Sequence, residues 1–295
     1  MRVLVTGAGG FIGSHVAHEL VSAGHEVHAV VRPGGTRMRL TDIRDRLSFL
    51  ELDLADTSAA SGALSSLRPD ALVHLAWYAE PGTYLHAVAE NQAALRSSTS
   101  LIAVATQLGC QRIVLGGTCL ETAIETPPTA YADAKRSLHD VLQVAIRAGV
   151  SGVCGHVYYL YGPWEDSRRV VPSIVRSLLR KEAIPTTDGQ MMRDYLHVTD
   201  VATGFRHLVE SSVVGTADIC SGTVVMLRDV LVAAADELGR RSLLELGALG
   251  PTTGAGCSRA GDPSTLTELG WKPRYDMRTG IADTVSWWRR QESQT

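Results

Sequence analysis

Residues 2–13 read Arg2-Val3-Leu4-Val5-Thr6-Gly7-Ala8-Gly9-Gly10-Phe11-Ile12-Gly13, and this stretch decides the fold. A short β-branched run ends in glycines, and a helical period begins at once, with Phe11, Ile12, His15, Val16 and Leu20 on related faces. Gly7, Gly10 and Gly13 form G-x-x-G-x-x-G in a strand–turn–helix context. The first two glycines let backbone turn tightly beside a pyrophosphate, and the third lets helix and strand pack closely. The helix N-terminus then offers N–H donors and a positive dipole to the anion.

Outward from this turn the same rhythm repeats. Apolar strands are predicted at 27–31, 48–52, 71–75, 111–116 and 151–158, with helices at 84–108 and 129–148. Nearly all-apolar strands alternating with helices imply a parallel sheet covered on both faces. Right-handed crossovers make it an α/β, doubly wound fold. After Gly162-Pro163 the rhythm changes. Helices are expected at 170–180, 200–211, 227–239 and 278–290, joined by glycine-rich loops. The expected division is a cofactor domain of residues 1–162, with returning segments near 194–222, and a smaller C-terminal α/β lobe of 163–193 and 223–295. The segment 247–263 reads as the most mobile loop.

The 295 residues suit one large domain or two unequal lobes. A net charge of −3 excludes a protein held to nucleic acid through phosphate contacts. No apolar run is long enough to span a membrane, and the first residues lack a signal-peptide pattern. Five scattered cysteines, none in C-x-x-C, imply a reducing cytoplasm and no metal cluster.

Cofactor choice is read at the end of the second strand. An Asp or Glu there would hold the ribose 2′-hydroxyl of NAD. No acid occurs between Glu26 and Asp42, and Arg32 stands at the strand end with Arg37 and Arg39 nearby. That pattern suits the 2′-phosphate of NADP better than NAD; a solvated loop arginine is the alternative. Asp53 is placed to meet the adenine, or else serves as a turn or cap residue.

Tyr131-Ala-Asp-Ala-Lys135 places a phenol and an ammonium on one helical face. A lysine there would lower the tyrosine pKa and reach a nicotinamide ribose. With eight tyrosines and only three lysines, about 0.08 such pairs would arise by chance. Thr118 ends a strand, where a hydroxyl faces the ligand crevice. Trp77, Tyr78 and Tyr84 are candidates to line a sugar pocket. Arg193 is a candidate phosphate contact, with pairing to Asp194 or Asp200 as the alternative.

Taken together, Gly7-x-x-Gly10-x-x-Gly13, Asp53, His74-Leu75-Ala76, Thr118, Tyr131-x-x-x-Lys135, Tyr161-Gly162-Pro163, Arg193-Asp194-Tyr195 and Leu269-Gly270-Trp271 occur in order. This set resembles the extended short-chain dehydrogenase/reductases that act on nucleotide sugars, over essentially the full length. The resemblance implies a Rossmann domain, a nucleotide-sugar lobe, and Thr118, Tyr131 and Lys135 as the catalytic triad. It also implies cofactor contacts from Phe11, Ile12, Leu54, Leu75 and Ala76, sugar contacts from Trp77, Tyr84, Tyr159 and Val171, and a homodimer through a four-helix bundle of 84–108 and 129–148.

Within that family, Trp77-Tyr78-x-Glu80-Pro81-Gly82-x-Tyr84-Leu85 and Gly117-Thr118-Cys119-x-Glu121 resemble reductases of nucleotide-linked 4-keto-6-deoxy sugars, and a dTDP-linked sugar is the expected substrate. Related dehydratases carry Asp-Glu after the threonine, where this chain has Cys119-Leu120. An NAD-dependent 4-epimerase and a non-catalytic NADP-sensing regulator are the alternatives. Three departures stand out: His156 where the family usually has Arg, Tyr159 where it usually has Asn, and an interval of 13 residues from Thr118 to Tyr131.

Overall fold

The computed structural model describes residues 1–123, 128–251 and 257–293. In chain order its strands and helices are β1 (Arg2–Thr6), α1 (Phe11–Ser22), β2 (Glu26–Val31), β3 (Leu47–Glu51), α2 (Thr57–Leu67), β4 (Ala71–His74), α3 (Val88–Gln107), β5 (Arg112–Thr118), α4 (Ala130–Arg147), β6 (Ser151–Val157), β7 (Tyr159–Tyr161), α5 (Val170–Leu179), β8 (Ile184–Pro185), β9 (Met192–His197), α6 (Val198–Glu210), β10 (Gly215–Ile219), β11 (Val224–Met226), α7 (Leu227–Glu237), β12 (Leu244–Glu245), α8 (Ser264–Glu268) and α9 (Met277–Glu292).

Seven strands form one sheet in the order β10-β6-β5-β4-β1-β2-β3. Every pairing in it is parallel. The strand order reverses between β1 and β4, so both strands end at the crevice where such folds bind ligands. The central strands β1, β4 and β5 are largely apolar and buried because both faces are covered. On one face Val16, Ala17 and Leu20 of α1 pack with Val201, Phe205 and Leu208 of α6. On the other, Leu64 of α2, Leu101 and Ile102 of α3, and Leu138 and Leu142 of α4 close a second core. Truncating one of these leucines to alanine costs about 2–5 kcal/mol.

Helix α2 is not among the sequence expectations. Its sequence, Thr-Ser-Ala-Ala-Ser-Gly-Ala-Leu-Ser-Ser-Leu, buries only Ala60 and Leu64, too narrow a stripe to register as a period. Asp56 caps it by accepting from the Ala59 N–H at 2.9 Å. The expected helix from residue 84 starts later, at Val88, because 81–86 form turns.

Beyond Gly162 the chain divides its strands. β10 returns to the main sheet beside β6, whereas β9 joins β7 and β11 in a separate three-stranded sheet. Helices α5, α7 and α9 enclose a further core of Val171, Val175, Val230, Ile281, Val285 and Trp288. Of the expected mobile loop 247–263, residues 252–256 lie outside the described residues, as do 124–127 between Thr118 and Tyr131. Among the described residues no helix is long and apolar enough to cross a membrane.

Candidate active site

The glycine turn is built for close backbone approach. Gly7 has φ +70°, and a Cβ there would stand 2.8 Å from the Ala76 nitrogen. A Cβ on Gly13 would run into the Gly7 carbonyl. Helix α1 starts at Gly10 with no side-chain cap and no acid in its first turn, which leaves its N-terminal N–H groups and dipole facing the crevice. This cradle fits a dinucleotide pyrophosphate. Phe11 and Ile12 are its first, half-buried helical residues.

A buried network fixes the cradle against β4. Thr6 Oγ1 lies 2.7 Å from His74 Nδ1 and accepts the Leu75 and Ala76 N–H groups at 3.2 and 3.3 Å. His74 Nε2 lies 2.7 Å from Ser98 Oγ, whose own hydroxyl donates to the Ala94 carbonyl at 2.7 Å. That sequence of donors assigns the proton to Nε2 and makes Nδ1 the acceptor from Thr6. Burial pushes the His74 pKa down to about 3, so the ring is neutral.

The three arginines near the end of β2 do different work. Arg39 donates to the Gly9 carbonyl at 3.0 Å and to the Trp164 carbonyl at 3.1 Å, clasping the glycine turn to the loop after β7. Arg37 pairs with Glu51 and lies 4.7 Å over the Phe49 ring. Arg32 is exposed at the strand end. Asp53 is exposed and accepts the Ala55 N–H at 2.9 Å, the turn role foreseen as its alternative. Leu54 packs against the core under the sheet.

Thr118, Tyr131 and Lys135 come together at the carboxyl end of β5. Thr129 caps α4 by accepting the Ala132 N–H at 3.1 Å, which places Tyr131 and Lys135 one turn apart on the inward face. Lys135 Nζ donates to the Gly116 carbonyl at 2.7 Å and sits 4.0 Å over the Trp77 ring. Burial lowers its pKa to about 8. The Tyr131 ring meets Tyr84 edge-on at 5.0 Å and Trp77 at 6.4 Å. Burial holds the Tyr131 phenol above its ordinary range, with the nearby Thr118 hydroxyl opposing that only in part. The expected lowering by Lys135 is therefore not what the structure shows. The ammonium is committed to Gly116 and Trp77, and its Nζ is 5.8 Å from the Tyr131 ring centre.

Sequence reasoning missed Asn91, which is fully buried and organises the aromatic wall. It accepts the Trp77 indole N–H at 2.8 Å and donates to the carbonyls of Tyr84 and Ala87 at 2.7 and 2.8 Å. The available signal was a polar residue on the buried stripe of α3, in line with Ser98, Leu101, Ile102 and Ala105. Glu121 was also given no role. Its Oε1 accepts the Thr118 N–H at 2.7 Å, and its side chain is buried beneath the turn. Gly117 leaves room for it: a Cβ there would stand 2.5 Å from Cys154 Sγ and 2.8 Å from Glu121 Oε1.

On the lobe side, Arg193 stacks 4.6 Å over the Tyr159 ring and donates to the Met192 carbonyl at 2.8 Å. The Tyr159 hydroxyl accepts the Cys257 N–H at 3.1 Å. The two suggested partners are engaged by backbone: Asp194 accepts Ser221, Gly222 and Gly261 N–H groups at 2.8, 3.0 and 3.1 Å, and Asp200 accepts Arg274 and Tyr275 N–H groups at 2.8 and 3.1 Å. Val171 is part of the lobe core, packed among apolar side chains, and is not brought to the triad.

Comparison with known proteins agrees with this geometry. Residues 3–219 match the family model described as the NAD dependent epimerase/dehydratase family. A dTDP-glucose 4,6-dehydratase of Mycolicibacterium smegmatis is 25% identical, covering 99% of this chain and 95% of its own. A dTDP-4-dehydro-6-deoxy-D-allose reductase of Streptomyces bikiniensis is 29% identical, covering 97% and 96%. The structure of Thermus thermophilus UDP-glucose 4-epimerase in complex with NAD is 26% identical and superimposes with a TM-score of 0.85, covering 98% of this chain and 99% of that one. Dehydratases and epimerases are the more numerous names among such relatives. With its glycine cradle, parallel sheet and Thr-Tyr-Lys cluster in place, the chain belongs to the NAD dependent epimerase/dehydratase family.

Proposed function

We propose that the protein reduces the 4-keto group of a nucleotide-linked 4-keto-6-deoxyhexose, dTDP-linked by analogy with the reductase relative, using NADPH. One observation carries the choice within the family. The described turn Cys119–Glu121 after Thr118 carries Cys119 and Leu120, and its carboxylate, Glu121, is turned inward onto the Thr118 N–H. The positions that drive elimination in the resembling dehydratases thus offer no acid or base to the sugar.

NADPH would supply the hydride. Gly7, Gly10, Gly13 and the start of α1 would hold its pyrophosphate, Arg32 its 2′-phosphate, and Leu75 and Ala76 would flank the cradle. Tyr131, protonated throughout the neutral range, would donate its proton to the oxygen that gains charge at C4. Thr118 would hold that oxygen, and Lys135, fixed by Gly116 and Trp77, would anchor the ribose. Tyr84, Trp77 and Tyr159 would line the sugar site and Arg193 the phosphate end. In this reading residues 1–162 with β10 form the cofactor domain, and the remaining C-terminal segments form the substrate lobe. The exposed Val88 of α3 and Val144 of α4 are consistent with a homodimer through these helices.

The experiment is incubation with NADPH and a panel of dTDP-4-keto-6-deoxy sugars, with products identified by NMR. A secondary alcohol at C4, carrying deuterium when the cofactor is deuterated at C4, is expected. An unchanged ketone throughout the panel would exclude the reading. The likeness to an epimerase bound to NAD favours a second reading, 4-epimerisation, which predicts C4 inversion without added cofactor.

A further inference from the structure

We infer a zinc-binding site beneath the Thr118 turn, formed by Glu121, His139, Cys154 and His156. It is independent of the reductase reading, because it neither uses nor requires turnover.

The four side chains come from three places in the chain. Glu121 lies in the turn after β5, His139 on α4, and Cys154 and His156 two apart on one face of β6. One ligand atom from each lies within 4.8 Å of every other. Two side-chain atoms of this group are buried and find no hydrogen-bond partner among the described residues: Glu121 Oε2 and His156 Nε2. The parent side chains are only 3% and 5% exposed, and the two atoms face each other at 3.6 Å. That gap is too long for a hydrogen bond. Two N/O ligands about 2.0–2.1 Å from a tetrahedral zinc stand roughly 3.3–3.4 Å apart, so a small inward movement completes the pair. Glu, Cys and two His form a four-ligand set that zinc accepts.

The surroundings supply what such ligands need. The other ring nitrogen of His156, Nδ1, lies 3.3 Å from Asp218 Oδ1, the carboxylate–histidine arrangement that orients a metal-bound imidazole. The other carboxylate oxygen of Glu121 is held by the Thr118 N–H at 2.7 Å. His139 lies 2.9 Å from the Gln143 amide nitrogen and is half-buried on the outer side, which gives an ion its approach. Gly117 admits the cluster, since any Cβ would collide with Cys154, Glu121 and His156. Binding displaces the Cys154 thiol proton to solvent and transfers no electron. The rival occupant of the gap is a proton on His156, held between Glu121 and Asp218.

Chelator-treated full-length protein titrated with Co²⁺, and then with Zn²⁺, separates the two. The expected result is one ion per chain, tetrahedral d–d absorption with a thiolate-to-cobalt charge-transfer band, and displacement by Zn²⁺. Cys154→Ser should abolish the charge-transfer band and weaken binding at least tenfold. His139→Ala, at the half-buried edge, should weaken it comparably without threatening the fold, and Asp218→Asn should weaken it by about 10–100-fold. No saturable binding by folded wild-type protein, an octahedral spectrum, or binding undiminished in both Cys154→Ser and His139→Ala would each overturn the proposal.

Discussion

The Lys135 ammonium lies 4.0 Å from the centre of the Trp77 ring while donating to the Gly116 carbonyl at 2.7 Å. A residue outside the triad thus fixes one of its members. A desolvated cation–π contact contributes about 0.5–2 kcal/mol. Trp77→Leu should therefore lower kcat/KM by roughly 2–30-fold. Trp77→Phe keeps a ring but loses the indole N–H to Asn91, so an intermediate loss is expected. Steady-state kinetics with NADPH checks this; an unaltered kcat/KM in Trp77→Leu would remove the positioning role.

Tyr131→Phe should reduce kcat by about 10²–10⁴-fold while leaving the NADPH dissociation constant within a factor of a few. Burial keeps the phenol protonated across the neutral range, so in the proposed reaction Tyr131 would serve as an acid held ready and not as a group ionised by Lys135. A variant with more than a tenth of the wild-type rate would transfer the proton-donor role to another group.

How far these roles could be read from sequence depends on the kind of interaction. The glycine turn and the Tyr131–Lys135 pair were legible because local geometry sets their spacing: a strand–turn–helix in one case, one helical turn in the other. Helix α2 was not, because small polar residues give it no apolar period. Asn91 and Glu121 act across 14 residues onto Trp77 and from beneath onto Thr118, and only the packed fold reveals such contacts. Arg37 and Arg39 entered the sequence reading as basic neighbours of Arg32, yet both bind protein groups. The expected influence of Lys135 on Tyr131 failed because spacing places two groups on a face without saying where each terminal atom bonds.

Arg32→Ala should raise KM for NADPH about tenfold and leave NADH kinetics nearly unchanged, the loss of one charge-assisted phosphate contact. Arg37→Ala should discriminate far less, since Arg37 is committed to Glu51 and the Phe49 ring. Paired kinetics with the two cofactors measures the ratio directly. A larger change in that ratio for Arg37→Ala than for Arg32→Ala would reverse the assignment.

Glu165 makes stability depend on pH. Burial pushes its pKa from 4.5 up to about 8, Arg169 and the Gly162 N–H oppose this only in part, and its Oε2 finds no hydrogen-bond partner among the described residues. Between those two values the folded chain holds a proton that the unfolded chain has lost. The unfolded state then binds fewer protons, so stability falls as pH rises from about 4.5 to about 8 and levels off above. Glu165→Gln keeps the shape and removes the charge. Its Tm should match the wild type near pH 5 and exceed it at pH 9 by roughly 8–10 °C, because holding the carboxyl near 8 instead of 4.5 corresponds to about 5 kcal/mol and about 1 kcal/mol moves Tm by roughly 2 °C in a chain of this size. Calorimetry of both proteins across this range decides the matter: parallel Tm-versus-pH curves would mean that Glu165 is ionised in the fold and that another group sets the slope.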